Sequence, residues 1–243
     1  YADIVDYTML MAYDEHITED PAGSIAGQSW YEKELDKRMH VLSPDSTIIA
    51  LGGYGYDWAE DAPATILDFQ NAMAVAQDAG AAIQFDDATN NPHFSYRDGE
   101  GEKHQVWFLD GATAFNEIHA ADGYQPAGYA LWRLGTEDPS LYSVLGRPYN
   151  APAPPELNRI PTNEDVDFDG NGEILSVMAD PRPGARSLDI DRYTGDIDNE
   201  SYKSLPTSYV IRRAGLVPHE IALTFDDGPD AKWTPAILDI LKQ

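Results

Sequence analysis

The chain has no cysteine, so neither disulfide bonds nor thiolate metal sites are open to it. That is compatible with a protein exported by bacteria. Basic residues are scarce: 16 Lys and Arg stand against 42 Asp and Glu, a formal net charge of -26 at pH 7. Nucleic acid needs cationic side chains against its phosphates, so this balance argues against it as a partner and disfavours anionic membrane surfaces. A neutral or cationic glycan would not be repelled. Long apolar runs are also missing, since none approaches the roughly 18 residues of a membrane span. No signal peptide is visible and the first residue is Tyr1, so any targeting information is expected upstream. What remains is 243 residues with 42% hydrophobic content, enough for the core of one large or two small domains.

Ile4 to Tyr13 (IVDYTMLMAY) is an apolar, β-prone run ending on Asp14, Glu15 and His16, and it predicts a fully buried strand with polar residues at its carboxyl end. Trp30 to Val41 has Leu35, Met39 and Leu42 on one side and charges on the other, which predicts a helix. Thr47 to Leu51 predicts a second buried strand, followed by Gly52-Gly53-Tyr54-Gly55-Tyr56-Asp57-Trp58. Ala64 to Ala79, with Ile66, Phe69, Ala72, Met73 and Val75 spaced for burial, predicts a helix stopped by Gly80. A polar, turn-rich excursion follows, with strands expected near Ala82–Phe85, His93–Tyr96 and Gln105–Phe108 and a hairpin at Asp98-Gly99. Ala112 to Ala121 predicts another helix and Gly128 to Leu134 a third buried strand. Strands alternating with helices in this order predict a parallel sheet with crossover helices, and the excursion reads as a small α+β insertion over about 82–110. Three such units suit the last third of an eight-stranded barrel.

From Arg147 to Pro161 the composition shifts: Pro148, Pro152, Pro154, Pro155 and Pro161 mark a stiff linker over 147–163. Residues 164–218 then read as a small β-rich segment, with strands at Glu173–Met178, Ser187–Ile190 and Ser208–Arg212. Residues 219–243 open a further unit: Ile221, Ala222 and Leu223 read as a short buried strand leading into Thr224-Phe225-Asp226-Asp227-Gly228-Pro229.

In a βα barrel, functional groups sit at the carboxyl ends of the strands. Those ends carry Met11-Ala12-Tyr13-Asp14, Tyr54-Gly55-Tyr56-Asp57-Trp58 and Trp132-Arg133. Aromatic rings beside carboxylates suit a sugar site, where ring faces stack on C–H surfaces and polar groups fix orientation. The same residues also fit ordinary barrel core and rim. His93 and His104 lie on the insertion, where satisfied or solvent-exposed histidines are the expectation over metal ligands.

Asp6-Tyr7-Thr8-Met9-Leu10-Met11-Ala12-Tyr13-Asp14 resembles the sixth-strand M-x-Y-D motif of chitinase-like family-18 glycoside hydrolases. YGYDW at 54–58, Phe94-Ser95-Tyr96, His104 to Phe108 and Gly128 to Gly135 resemble the branch containing spore-cortex and peptidoglycan N-acetylglucosaminidases. The likeness runs across about 3–146. It implies the last three strands of a TIM-type (β/α)8 barrel and a substrate whose own acetamido oxygen is the nucleophile. Tyr13 would hydrogen-bond that acetamido group, Asp14 would orient the sugar, Trp132 would floor the subsite, and Met11 would pack under Tyr13. Tyr54, Tyr56, Asp57 and Trp58 would complete the substrate-binding set. The family's general acid, a Glu closing D-x-x-D-x-D-x-E, has no counterpart in this sequence, and Ala50-Leu51-Gly52-Gly53 stands where a Gly-x-Pro is expected. The barrel needs no cofactor.

Thr224 to Pro229, with Trp233-Thr234-Pro235 and the amphipathic Ile237-Leu238-Ile240-Leu241, resembles the first motif of polysaccharide deacetylases, the family-4 carbohydrate esterases. The resemblance implies Asp226 as general base and Asp227 as ligand of a divalent metal, usually zinc. It also implies a later H-x-x-x-H that the sequence does not contain, so the site is incomplete here. Asp165-Val166-Asp167-Phe168-Asp169-Gly170 imitates the start of an EF-hand loop, but position 12 is Ser176, and a hydrated acidic turn is expected over a calcium site. Taken together these readings describe a fragment of a larger bacterial cell-envelope hydrolase acting on N-acetylglucosamine-containing polysaccharide. The fragment itself is expected to be inactive. Covalently linked further domains (the rest of the deacetylase and a glycosyltransferase) and an extracytoplasmic, membrane-anchored setting are expected. Two rivals are a glycan-binding barrel like the chitinase-like lectins, and a scaffold presenting the deacetylase.

Overall fold

The computed structural model describes residues 4–60, 62–162, 166–216, 218–219, 221 and 223–242. In chain order the elements are β1 (Thr8–Met11), α1 (Gln28–Met39), β2 (Thr47–Gly52), β3 (Gly55–Ala59), β4 (Thr65–Leu67), α2 (Phe69–Asp78), β5 (Gln84–Asp86), β6 (Asn91–Arg97), β7 (Lys103–Phe108), α3 (Gly111–Asp122) and β8 (Gly128–Trp132). They continue with β9 (Arg159–Ile160), β10 (Val166–Gly170), β11 (Ile174–Ala179), β12 (Gly184–Ile190), β13 (Ile197–Ser204), β14 (Tyr209–Ala214) and α4 (Trp233–Leu241).

β1, β2 and β8 form a parallel sheet with β2 in the middle, as the alternation of apolar runs and helices predicts. Parallel neighbours need crossovers, and α1 and the insertion with α3 supply them on one face. On that face Leu10, Ala12, Ile49, Leu51, Tyr129 and Leu131 pack against Tyr31 and Leu35 of α1 and Phe115 and Ile118 of α3. Because side chains alternate along a strand, Met9, Met11 and Tyr13 share the opposite face with Ala50, Gly52, Ala130 and Trp132. The expectation that β1 and β8 are fully buried fails. Met9 and Met11 are exposed, and β8 is half-buried up to the exposed Trp132. The reason is topological: among the described residues β1 and β8 each have a neighbour on one edge only, while Ala50 and Gly52 of the central β2 are buried on the same face. β1 is also shorter than the apolar run, since Ile4, Val5 and Tyr7 lie exposed before it.

The insertion is a five-stranded antiparallel sheet in the order β4-β3-β7-β6-β5. Its hairpin turns at Asp98-Gly99 as expected, with Asp98 Oδ1 accepting from the backbone N–H of Glu100 and Glu102. One face packs Phe94, Val106 and Phe108 against Phe69, Ala72, Met73 and Ala76 of α2; the other carries Tyr56 and Trp58. The helix expected from Ala64 begins only after Asp68, whose Oδ1 accepts from Asn71 N at 2.7 Å. The preceding Thr65-Ile66-Leu67, with two β-branched residues, joins β3 as β4.

The Pro-rich stretch does not behave as a free linker. Leu157 and Ile160 are completely buried, and β9 pairs with β12. Sheet β13-β12-β9 docks on the first unit through Arg186, whose side chain has no exposure. Its guanidinium donates to Leu157 O at 2.5 Å, Asp110 Oδ2 at 3.0 Å and Ser140 Oγ at 2.6 Å, and lies 2.9 Å from Asp138 Oδ2 and 3.2 Å from Glu200 Oε1. Asp110 is also the N-cap of α3, accepting from Thr113 N at 2.9 Å. The arginine fits because Gly111 has no side chain: a Cβ there would stand 2.9 Å from Arg186 Nη2. Burial opposes the charge on Arg186, and Asp138, Glu200 and Asp110 outweigh it. Burial likewise works against the charge of Asp110, but Arg186 holds its carboxyl below the usual range. Burial and then the negative charge of Asp110 push the Glu200 carboxyl well up, with the Arg186 guanidinium pulling the other way.

The remaining three-stranded sheet, β10-β14-β11, is mostly exposed, including Phe168, Ile174, Leu175 and Val177. Its first strand occupies the EF-hand-like run: Asp167 and Asp169 are exposed on β10, while Asp165 lies outside the described residues. Glu173 precedes β11 and is paired with Arg213, so a strand turn replaces an ion loop. The strand expected at Ile221–Leu223 is absent from its described residues: Ile221 and Leu223 are exposed and unpaired, and Ala222 lies outside them. An isolated β segment has no stability without a ladder partner. The helix α4 does form, with its apolar Trp233, Leu238 and Leu241 exposed.

Candidate functional site

The carboxyl ends of the three parallel strands meet in one row. Gly52 pairs with Trp132, and Tyr13 lies against Gly52 from the other side: a Cβ on Gly52 would stand 3.3 Å from Tyr13 Cβ. The same Cβ would approach Leu109 Cδ1 at 2.6 Å, so a side chain at this position is blocked from beneath. The row therefore runs Tyr13, the buried Gly52 packed against Leu109 and Tyr54, then Trp132, which exposes 57% of its surface. Gly53 N donates to Trp132 O at 2.7 Å, tying the loop after β2 to the end of β8.

Asp14 follows Tyr13 in a left-handed backbone conformation, φ 66°. That region is uncommon for residues other than Gly but is tolerated by Asp. Its Oδ1 accepts two hydroxyls, from Tyr54 and from Tyr56, the latter at 2.9 Å. Burial and the Asp14 carboxylate raise both phenols, Tyr56 to about 12 and Tyr54 further. Both hydroxyls stay protonated at neutral pH and serve as donors. Tyr13 is raised too, first by burial and then by Asp14. Edge-to-face contacts run from Tyr13 to Tyr54 (6.1 Å), Tyr54 to Tyr56 (5.4 Å) and Tyr56 to Trp58 (5.4 Å), so the rings brace one another.

This changes what several expected site residues can do. Tyr54, Tyr56 and Trp58 are buried, so they stand behind the strand ends rather than offering ring faces to a sugar. Asp57 points to the other face of the insertion sheet, where its two oxygens are taken by Tyr96 Oη (2.7 Å) and His104 Nδ1 (2.9 Å). Met11 lies on the same face of β1 as Tyr13 and is 66% exposed. Asp226 and Asp227 are exposed at the far end of the chain. Asp227 has φ 61°, and no His, Asp or Glu among the described residues joins either one in a group able to hold a metal. A zinc ion does not fit there with the ligands present. His93 stacks on Trp107 at 4.4 Å, an ordinary packed histidine.

No family model matches the chain. The likenesses are to glycosidase-like proteins. The glycosylase YvbX of Bacillus subtilis (strain 168), itself uncharacterized, is 28% identical over 142 residues, 58% of this chain and 41% of its own length. The cortical fragment-lytic enzyme of the same organism is 25% identical over 155 residues, 62% of this chain and 36% of its own length. Among solved structures, a chitinase from Chromobacterium violaceum ATCC 12472 superposes with a TM-score of 0.55 at 27% identity, covering 58% of this chain and 45% of that one. The α/β fold is thus similar to chitinase-like barrels over somewhat more than half of the chain. The chain spans less than half the length of these relatives.

The two missed residues of consequence are Arg186 and Glu200. No local pattern marks them: Ser187 follows Arg186, and Asn199 and Ser201 flank Glu200. The partnership of Tyr54 and Tyr56 with Asp14 was missed as well: the residues were legible, their direction was not.

Proposed function

We propose that the described strand ends form one side of a binding cleft for N-acetylglucosamine-containing glycan, in an extracytoplasmic hydrolase built on a glycosidase-like barrel. The observation that carries this reading is the row Tyr13–Gly52–Trp132 with Asp14 gripped beside it. An exposed tryptophan face at one end of the row and a tyrosine at the other, with Leu109 and Tyr54 filling the space over Gly52 as a floor, can seat a pyranose ring, and a carboxylate locked by two phenols presents its remaining oxygen in a fixed direction. Tyr13 would bond the acetamido group of the bound sugar, and Asp14 would orient it, consistent with the glycosylase and chitinase names of the relatives. The sequence holds no D-x-x-D-x-D-x-E acid motif, so glycan binding is the activity expected of this chain by itself. The test is calorimetric titration of the full chain with the N-acetylglucosamine tetramer. Trp132→Ala should weaken binding at least ten-fold, about 1.4 kcal/mol, with Tyr13→Phe weaker than wild type. Equal affinity for Trp132→Ala and wild type would leave the scaffold reading instead.

A second reading rests on one motif, Thr224 to Pro229, and on the unpartnered helix α4 behind it. It makes residues 219–243 the opening of a polysaccharide deacetylase unit, with Asp226 as base and Asp227 as a ligand in a site completed elsewhere. Loss of N-deacetylation by Asp227→Asn in the complete parent protein would support it; unchanged activity would remove it.

A further inference from the structure

Outside the strand-end site, one group of side chains is built like a first and second metal shell. At the tip of the β6–β7 hairpin, Asp98, Glu102 and His104 place one ligand atom each within 4.8 Å of one another. His104 is the informative member. Its Nδ1 lies 2.9 Å from Asp57 Oδ1, and its ring stacks on Tyr96 at 4.6 Å, whose hydroxyl donates to the other oxygen of Asp57 at 2.7 Å. A carboxylate on one ring nitrogen fixes the tautomer and sends the lone pair of the other outward. That other nitrogen, Nε2, is buried and has no hydrogen-bond partner. It faces Asp98 Oδ2 at 3.8 Å, too far for a hydrogen bond and close enough for one cation to bridge the two atoms. Ligand atoms sharing a tetrahedral zinc at about 2.0–2.1 Å stand roughly 3.3 Å apart, so a closure of about half an ångström would make the pair a zinc edge.

The remaining members fit the same centre. Asp98 is held by the two backbone N–H groups on its Oδ1, leaving Oδ2 free to face the ring. Glu102 is exposed, and its carboxylate makes no hydrogen bond or ion pair among the described residues. Arg97, the nearest guanidinium along the hairpin, is turned away onto Gly101 O at 2.7 Å. We propose that Asp98, Glu102 and His104 bind a zinc ion, with Asp57 as the orienting carboxylate behind His104. One imidazole nitrogen and two carboxylate oxygens leave a fourth position for water. The ion would pin the hairpin tip to β3, the strand whose Tyr56 holds Asp14.

The test uses the full chain, stripped with EDTA and titrated calorimetrically with zinc chloride at 0.15 M salt, where diffuse attraction to a -26 protein is screened. One zinc per chain is expected. Glu102→Gln, an exposed change that removes no fold contact, should weaken binding at least ten-fold. Asp57→Asn should weaken it about 10–100-fold as a lost orienting partner, and Asp227→Asn should leave it unchanged. Absence of stoichiometric binding, equal affinity in Glu102→Gln, or loss in Asp227→Asn would each overturn the assignment, the last by moving the ion to the other end of the chain.

Discussion

Arg186 carries its charge to a place with no solvent contact and finds oxygen partners of three kinds there: the Leu157 carbonyl, the Ser140 and Tyr202 hydroxyls, and the carboxyl groups of Asp110, Asp138 and Glu200. Removing one member of such a buried set leaves uncompensated charge, which costs roughly 3–5 kcal/mol. Arg186→Met is therefore expected to lower the denaturant midpoint sharply, and Arg186→Lys, a point charge without the planar fork, should recover only part of it. A wild-type midpoint for Arg186→Met in urea would refute this account. Nothing local marks the residue. Its acidic partner Asp110 lies 76 positions away, and an arginine in a β-prone run reads as a solvated charge. Tyr13, Asp14 and Trp132 were legible for the opposite reason: the end of a parallel strand is a functional position by topology, and each sits at one.

At the scale of elements, the helices α1 and α3 and the central strand β2 could be read from periodicity because their burial is decided by neighbours close in sequence. β13 could not: its sequence IDNESYKS is polar, and only Ile197 and Glu200 are buried in it. The start of α2 was misplaced because Ala64 to Leu67 carries apolar residues at helical spacing, while Asp68 sets the cap and Thr65 and Ile66 prefer the sheet. β1 shows what burial requires beyond apolar composition. Met9 and Met11 are 57% and 66% exposed on a strand with one open edge. An open, apolar edge is a template for pairing with another chain. The purified chain is accordingly expected to associate in a concentration-dependent way in size-exclusion chromatography, and Met9→Lys should shift it toward monomer. A wild-type monomer with a sharp, cooperative melt would show that the edge is harmless.

Across the whole molecule, two buried acids set how stability follows pH. Glu117 and Glu200 are both raised well above their ordinary value of 4.5, Glu117 by burial and then by Asp110, and Glu200 by burial and then by Asp110. The folded chain thus keeps protons that the unfolded chain releases above pH 4.5, and stability must fall as pH rises from there, by about 1.4 kcal/mol per pH unit for each proton retained. Asp110, lowered in the fold, works the other way and adds stability above its ordinary 3.8 that is lost in acid. The melting temperature is expected to be higher at pH 5 than at pH 8, with Glu117→Gln and Glu200→Gln each flattening the slope; a profile that rises from pH 5 to pH 8 would contradict the assignment. The overall α/β plan was legible in the sequence because it depends on the order of elements, whereas the docking of sheet β13-β12-β9 depends on side chains that meet only after folding. Arg186 has one more consequence, in time rather than energy. Asp110 at the start of α3 is synthesised before the cation that pairs with it, and at the usual 5–20 residues per second the intervening 76 residues take roughly 4–15 s to appear. Through that interval the emerging chain holds Asp110, and later Asp138, without the Arg186 charge, so the docking of sheet β13-β12-β9 onto the start of α3 comes late in synthesis.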